Sequence, residues 1–228
     1  MTVTPNRPRA RWPWIIGIIA VALVIVAAVG VTAALHQSAA PTPTSTRTAK
    51  PTRTSTPDAA PTGCLGGSNR DNAMLLAAQK AAPHSTNGAV DFAAAIARWT
   101  LRHPTPTVDE ANEAAGGVIA SDAAPAFKDL GTAVAQNQNP SGGAVADGTD
   151  FYVTTTPGVY YVDSAATDKV TVSIGTGYVI GGAVNPQLRT SSTYDLVWEK
   201  GAWRIQSGSL AHTTEELFKI GTPFSQGC

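Results

Sequence analysis

Tyr194–Gly208 reads YDLVWEKGAWRIQSG, and this stretch decides the fold. Tyr194, Leu196 and Trp198 recur with a period of two, so they share one face of a strand. Lys200-Gly201 makes a turn, and Trp203 and Ile205 alternate on the returning strand. The same period extends upstream as far as Phe151. Phe151–Asp163 is rich in β-formers and is interrupted by Pro157-Gly158, a turn or a bulge. Val170, Val172 and Ile174 alternate with Thr171 and Ser173, and Tyr178–Val184 continues that strand or pairs with it. Consecutive strands with short connections predict an antiparallel sheet.

Before Gly148 the pattern is helical. Asn72–Ala82 is Ala/Leu-rich and stops at Pro83. Ala89–Leu101 places Val90, Ala93, Ala94, Ala97 and Leu101 on one face. A third helix begins at Thr107, where Thr107 and Glu110 form a capping box. A fourth is expected from about Asp122 to Gln136, with Ser121 as its cap and Pro125 in its first turn. Asn137–Gly148 is a Gly/Pro/Asn loop, and a short helix is expected at Thr213–Phe218. Helices followed by an antiparallel sheet predict an α+β domain with the helices on one face.

The start of the chain is not globular in composition. Residues 1–13 are basic. Residues 14–35 are 22 consecutive uncharged residues, and a helix of that length spans roughly 33 Å, enough for a bilayer core. Arg7, Arg9 and Arg11 precede it, so by the positive-inside bias the N-terminus stays in the cytoplasm and the bulk lies outside. The rival reading is a cleaved signal peptide, whose apolar region would be shorter. Residues 36–63 form a disordered Pro/Thr-rich stalk, poor in groups able to form a core. Residues 64–228 form the extracytoplasmic domain.

Charge follows the same division. Residues 1–63 carry six basic and one acidic group, whereas residues 64–228 carry ten basic and fifteen acidic groups. An acidic domain without a basic stripe argues against nucleic-acid binding. Cys64 and Cys228 are the two cysteines of the chain. In an exported domain an even count suggests a disulfide, here one joining the two ends of the domain. Two free thiols or an intermolecular bridge are the alternatives.

The order of elements, and above all the hairpin Tyr194–Gly208, resembles the nuclear transport factor 2-like cone, in which a curved sheet wraps around helices. Outside a single N-terminal helix, that cone resembles the actinobacterial membrane-anchored, exported subunits of conjugative and type IV secretion machinery (TcpC-like proteins). The resemblance covers about residues 85–210. It implies a scaffold that works through self-association or contacts with other envelope proteins, with no catalytic residue to carry over. The Mce-associated group, which assists lipid import, has the same plan and implies a ligand- or lipid-binding accessory instead. TcpC-like subunits usually carry two cones, and this chain has room for one.

The residues offer little independent chemistry. Enzymes of the cone fold use an interior Asp or His as a base, which makes Asp91, Asp150, His84, His103 and His212 the groups to weigh. None has the spacing of a catalytic set, and each reads better as structural. Trp99, Trp198, Trp203 and Asp91 are the candidates for lining a pocket, against a reading of the tryptophans as core or cross-strand pairs. Gly175–Gly181 lacks dinucleotide-binding spacing and reads as bulge glycines. The four histidines are scattered without ligand spacing, so no metal and no cofactor is expected.

Overall fold

The computed structural model describes residues 59–228. The basic N-terminus, the 14–35 span and most of the stalk lie outside the described residues. Among the described residues no helix is long and apolar enough to cross a membrane.

The domain is α+β, with helices packed in a curled, half-barrel antiparallel sheet. Helix α1, Asn72–Ala81, is capped by Asp71, whose carboxylate accepts from the Met74 N–H at 2.8 Å. Helix α2, Thr86–Thr100, is capped by Ser85 and starts three residues earlier than expected. It is mostly apolar, and Ala89, Val90 and the run from Phe92 to Trp99 are buried. Such a helix belongs at the centre of a domain, and α2 fills the hollow of the sheet. Helix α3, Val108–Val118, has the expected capping box of Thr107 and Glu110.

The single fourth helix is not formed. Residues 119–124 follow the sheet edge around a turn at Ser121-Asp122, with Ala120 and Ala124 N–H groups donating to the Ile205 and Gln206 carbonyls at 2.9 and 2.8 Å. Ser121 caps nothing; its N–H donates to the Glu199 carboxylate at 2.9 Å. Helix α4, Pro125–Lys128, and helix α5, Leu130–Gln136, follow, divided where Asp129 takes the N–H of Thr132. The edge strand has unpaired backbone groups to satisfy, and this competes successfully with helix propensity.

The strands are β1 (Arg102–His103), β2 (Phe151–Ala166), β3 (Lys169–Ile180), β4 (Ala183–Glu199), β5 (Ala202–Ser209) and β6 (Thr222–Pro223). The main path is β1-β2-β3-β4-β5, antiparallel throughout, and β6 joins the outer edge of β2. Pro157-Gly158 is a bulge, not a turn, because β2 continues through it with a register shift between Thr154 and Gly158. Further shifts at Val162/Ser164, Gly177/Val179 and Asp195/Leu196 bend the sheet. Tyr178 and Val179 continue β3, and Gly181-Gly182 makes the turn into β4 with φ of +59° and +80°. Val170, Val172, Ile174, Leu196 and Ile205 face α1 and α2. Helix α6, Thr214–Ile220, crosses the outer face, and Thr213 and Glu216 give it a capping box. A Cβ on Gly175 would stand 2.8 Å from the Phe218 ring, so this glycine lets α6 lie against the strand.

The packed domain begins ahead of Cys64. Along one stripe of α2, Asn87 donates to the Ala59 carbonyl (3.0 Å), Asp91 accepts from the Thr62 and Gly63 N–H groups (2.9 and 2.7 Å), and Arg98 donates to the Leu65 and Gly67 carbonyls (2.8 and 2.7 Å). The C-terminal tail lies between this strap and β2. Ser225 donates to the Pro61 carbonyl through both N–H and hydroxyl, each at 3.0 Å. Thr155 and Cys228 exchange bonds of 3.2 and 3.1 Å. This brings Cys64 and Cys228 to disulfide distance, with Cα atoms 5.3 Å apart. A link across 164 residues removes on the order of 5 kcal/mol of unfolded-chain entropy in the loop-closure model. Cys228→Ser is therefore expected to lower unfolding free energy by about 3–5 kcal/mol, measured by denaturant titration against the oxidised wild type.

Candidate functional site

The four proposed pocket residues do not converge. Trp99 and Trp203 are fully buried, and each indole is satisfied: Trp99 donates to the Asn72 side-chain oxygen and Trp203 to the Pro83 carbonyl, both at 2.9 Å. Trp198 and Trp203 are register partners on β4 and β5, with ring centroids 5.4 Å apart. Trp198 is half-buried and stacks on the His84 imidazole at 4.2 Å. The tryptophans are thus core and cross-strand groups. Asp91 serves the strap. Trp99 borders a hollow of about 180 Å³, beside Thr100, Leu101, Pro106, Leu130 and Val134. No titratable side chain lines it.

The other titratable candidates are also separated. His84 pairs with Asp168 at 2.8 Å, His103 with Asp150 at 3.0 Å and His212 with Asp163 at 2.7 Å. The last of these joins a network absent from the sequence reading. Asp163 also accepts from the Ser173 hydroxyl at 2.8 Å, and Ser173 touches the Thr193 hydroxyl at 2.8 Å. Ser, His and Asp therefore meet, but in the wrong order for a nucleophile. A triad needs the imidazole between hydroxyl and carboxylate. Here the carboxylate stands between the other two, and Ser173 is buried at 1% exposure. The network fastens the segment before α6 to the sheet: His212 grips Asp163, and the Ala211 N–H donates to Thr193 at 3.0 Å. Next to it, Asp195 accepts from Thr171 at 2.7 Å and from Ser207.

No family model matches the chain, and no curated protein or solved structure matches it either.

Arg98 is the main residue that the sequence reading overlooked. Its guanidinium is buried and, among the described residues, has no carboxylate within salt-bridge distance. Burial, and secondarily Arg70 nearby, push its pKa down to about 10, and Asp91 opposes this. The signal was present: an arginine within the Ala-rich run Phe92–Trp99 of a largely buried helix has to find hydrogen-bond acceptors. Asp91 is pushed upward from the ordinary carboxylate range, first by burial, against the Gly63 and Thr62 donors and Arg98. Both groups hold the strap.

The upward shift of Asp91 has a definite sign. The folded protein holds the Asp91 proton at pH values where the unfolded chain has released it. This contribution to stability is therefore full below the unfolded carboxylate range, about pH 4. It is lost as pH rises through the higher folded value. Asp91→Asn keeps an acceptor for the strap and removes the titration. The difference in denaturation midpoint between wild type and Asp91→Asn is expected to move in favour of the variant as pH rises through that window, and to be flat above it.

Proposed function

We propose that this chain is a membrane-anchored extracytoplasmic domain of the cone type that works by protein contact, as a non-catalytic interaction subunit of a conjugation or secretion assembly. Residues 14–35 are the anchor in this reading, and the single-pass topology puts the N-terminus in the cytoplasm. One observation carries it: the hollow of the sheet is occupied by α2, and Trp99, Trp203 and Arg98 are all engaged in packing the domain. A cone that binds or transforms a small molecule keeps its interior open around a convergent polar group, in a pocket of roughly 300–1,000 Å³. The hollow at Trp99 is smaller and lacks an ionisable group. It is the feature that favours the second reading, a ligand- or lipid-binding accessory.

The two readings part in one experiment. The full chain is expressed with a C-terminal alkaline phosphatase fusion, which is active only outside the cytoplasm, and is cross-linked in membranes before purification. Phosphatase activity, with cross-linked protein species and no stoichiometric small molecule by mass spectrometry, is the expected result. A monomer carrying one lipid or metabolite per chain overturns the contact reading, and an inactive fusion overturns the topology.

A further inference from the structure

The end of the C-terminal tail is held by few groups of its own. Phe224 is buried against Tyr160, with ring centroids 5.2 Å apart, but Ser225, Gln226 and Gly227 beyond it are exposed. The hydrogen bonds of this stretch are those of Ser225 to Pro61 and of Cys228 to Thr155. The covalent end of the tail is the Cys64–Cys228 bond, and both cysteines are partly exposed. The core around α2 is built without either of them.

The same stretch forms one wall of a hollow. The hollow, of about 460 Å³, lies between Ser225, Gln226 and Gly227 of the tail and Thr155, Thr156 and Pro157 of the β2 bulge. The wall is set close to the bulge. A Cβ on Gly227 would overlap the Thr156 hydroxyl and stand 2.7 Å from the Thr156 Cβ, so a glycine is needed where the tail passes. Each cysteine is placed by its own segment. Cys64 belongs to the strap that Asp91 and Arg98 hold from α2, and its carbonyl takes the Gly67 N–H at 3.0 Å. Cys228 is placed by Thr155 of β2. These contacts bring the two sulfurs together without needing the bond between them, so the bond can open and re-form on the folded domain.

We propose that Cys64–Cys228 is a redox latch: a dithiol opens it on the folded domain, residues 225–228 leave the β2 bulge, and the hollow loses its wall. A thiolate of the dithiol bonds to the Cys228 sulfur, and Cys64 leaves as a thiolate that takes a proton. The second thiolate of the reductant then bonds to its own first sulfur and displaces Cys228, which is protonated in turn. The reductant ends as a disulfide, and the cysteine pair has gained two electrons and two protons. A disulfide donor reverses the step and rebuilds the hollow. The latch does not depend on the contact reading of the chain.

The test treats the purified full chain in detergent with dithiothreitol and no denaturant. The chain has two cysteines, so thiols trapped by an alkylating agent and counted by mass spectrometry follow the latch alone. Both thiols are expected to appear, with hydrogen exchange in tail and bulge about tenfold faster or more and exchange in α2 and β3 unchanged. Cys228→Ser is expected to show the same open pattern without reductant. Once the dithiol is removed, oxidised glutathione is expected to close the wild type. Gly227→Val, which does not seat the tail, is expected to close about tenfold more slowly or not at all. Cysteines that stay unreactive in the native protein overturn the latch, as does a reduced tail as protected as the oxidised one. Protection lost throughout α2 and β3 also overturns it, because the bond then holds the fold and not the tail. Gly227→Val closing at the wild-type rate overturns the placement of the sulfurs by the fold.

Discussion

Everything in this domain depends on a charged stripe along a helix that otherwise has no business with charge. Helix α2 is packed on all sides, yet it carries Asn87, Asp91 and Arg98 at spacings that align them. Their partners are backbone groups of the strap at residues 59–67. Beyond the turn bond from the Gly67 N–H to the Cys64 carbonyl, the backbone of this segment needs donors and acceptors from elsewhere where it is covered. The stripe supplies both kinds in the right order. Arg98 satisfies carbonyls, Asp91 satisfies N–H groups, and the strap in turn makes a wall against which the C-terminal tail lies. Removing either side chain leaves partly buried backbone groups without that partner.

Much of the architecture was legible from local chemistry. The hairpin at Lys200-Gly201, the alternation in β3, the capping box of α3 and the cysteine pair all follow from rules that act over a few residues. What was not legible depends on distant partners. The sequence predicts a fourth helix from about Asp122 with Ser121 as its cap, but residues 120–124 instead turn along β5, which offers their N–H groups an edge. Strands β1 and β6 are two residues each and have no pattern of their own; they exist because β2 is long. Asp91 shows the same limit. On a helical wheel it is a polar residue beside an apolar face, and nothing local says whether it looks into a cavity or holds a strand of its own chain.

The sheet uses its two faces differently. The inner face is filled by aliphatic and aromatic groups against α1 and α2. The outer face has a polar region, where Asp163, Ser173, Thr193 and His212 bind one another, and an apolar region under and around α6. The polar network is satisfied internally, so it holds the segment before α6 in place and has little capacity left for a ligand. The apolar region has no such closure among the described residues.

The covered edges of the sheet have a consequence for how such a domain changes its associations. The outer edge of β2 is occupied by β1, β6 and the tail, and much of β5 by residues 119–124. With its backbone ladder largely spoken for, the domain offers neighbours mainly side chains. Backbone pairing is nearly indifferent to sequence, whereas a side-chain surface is rewritten one residue at a time. Such a domain can exchange one neighbour for another through a few surface substitutions, while strap, helix and sheet stay as they are.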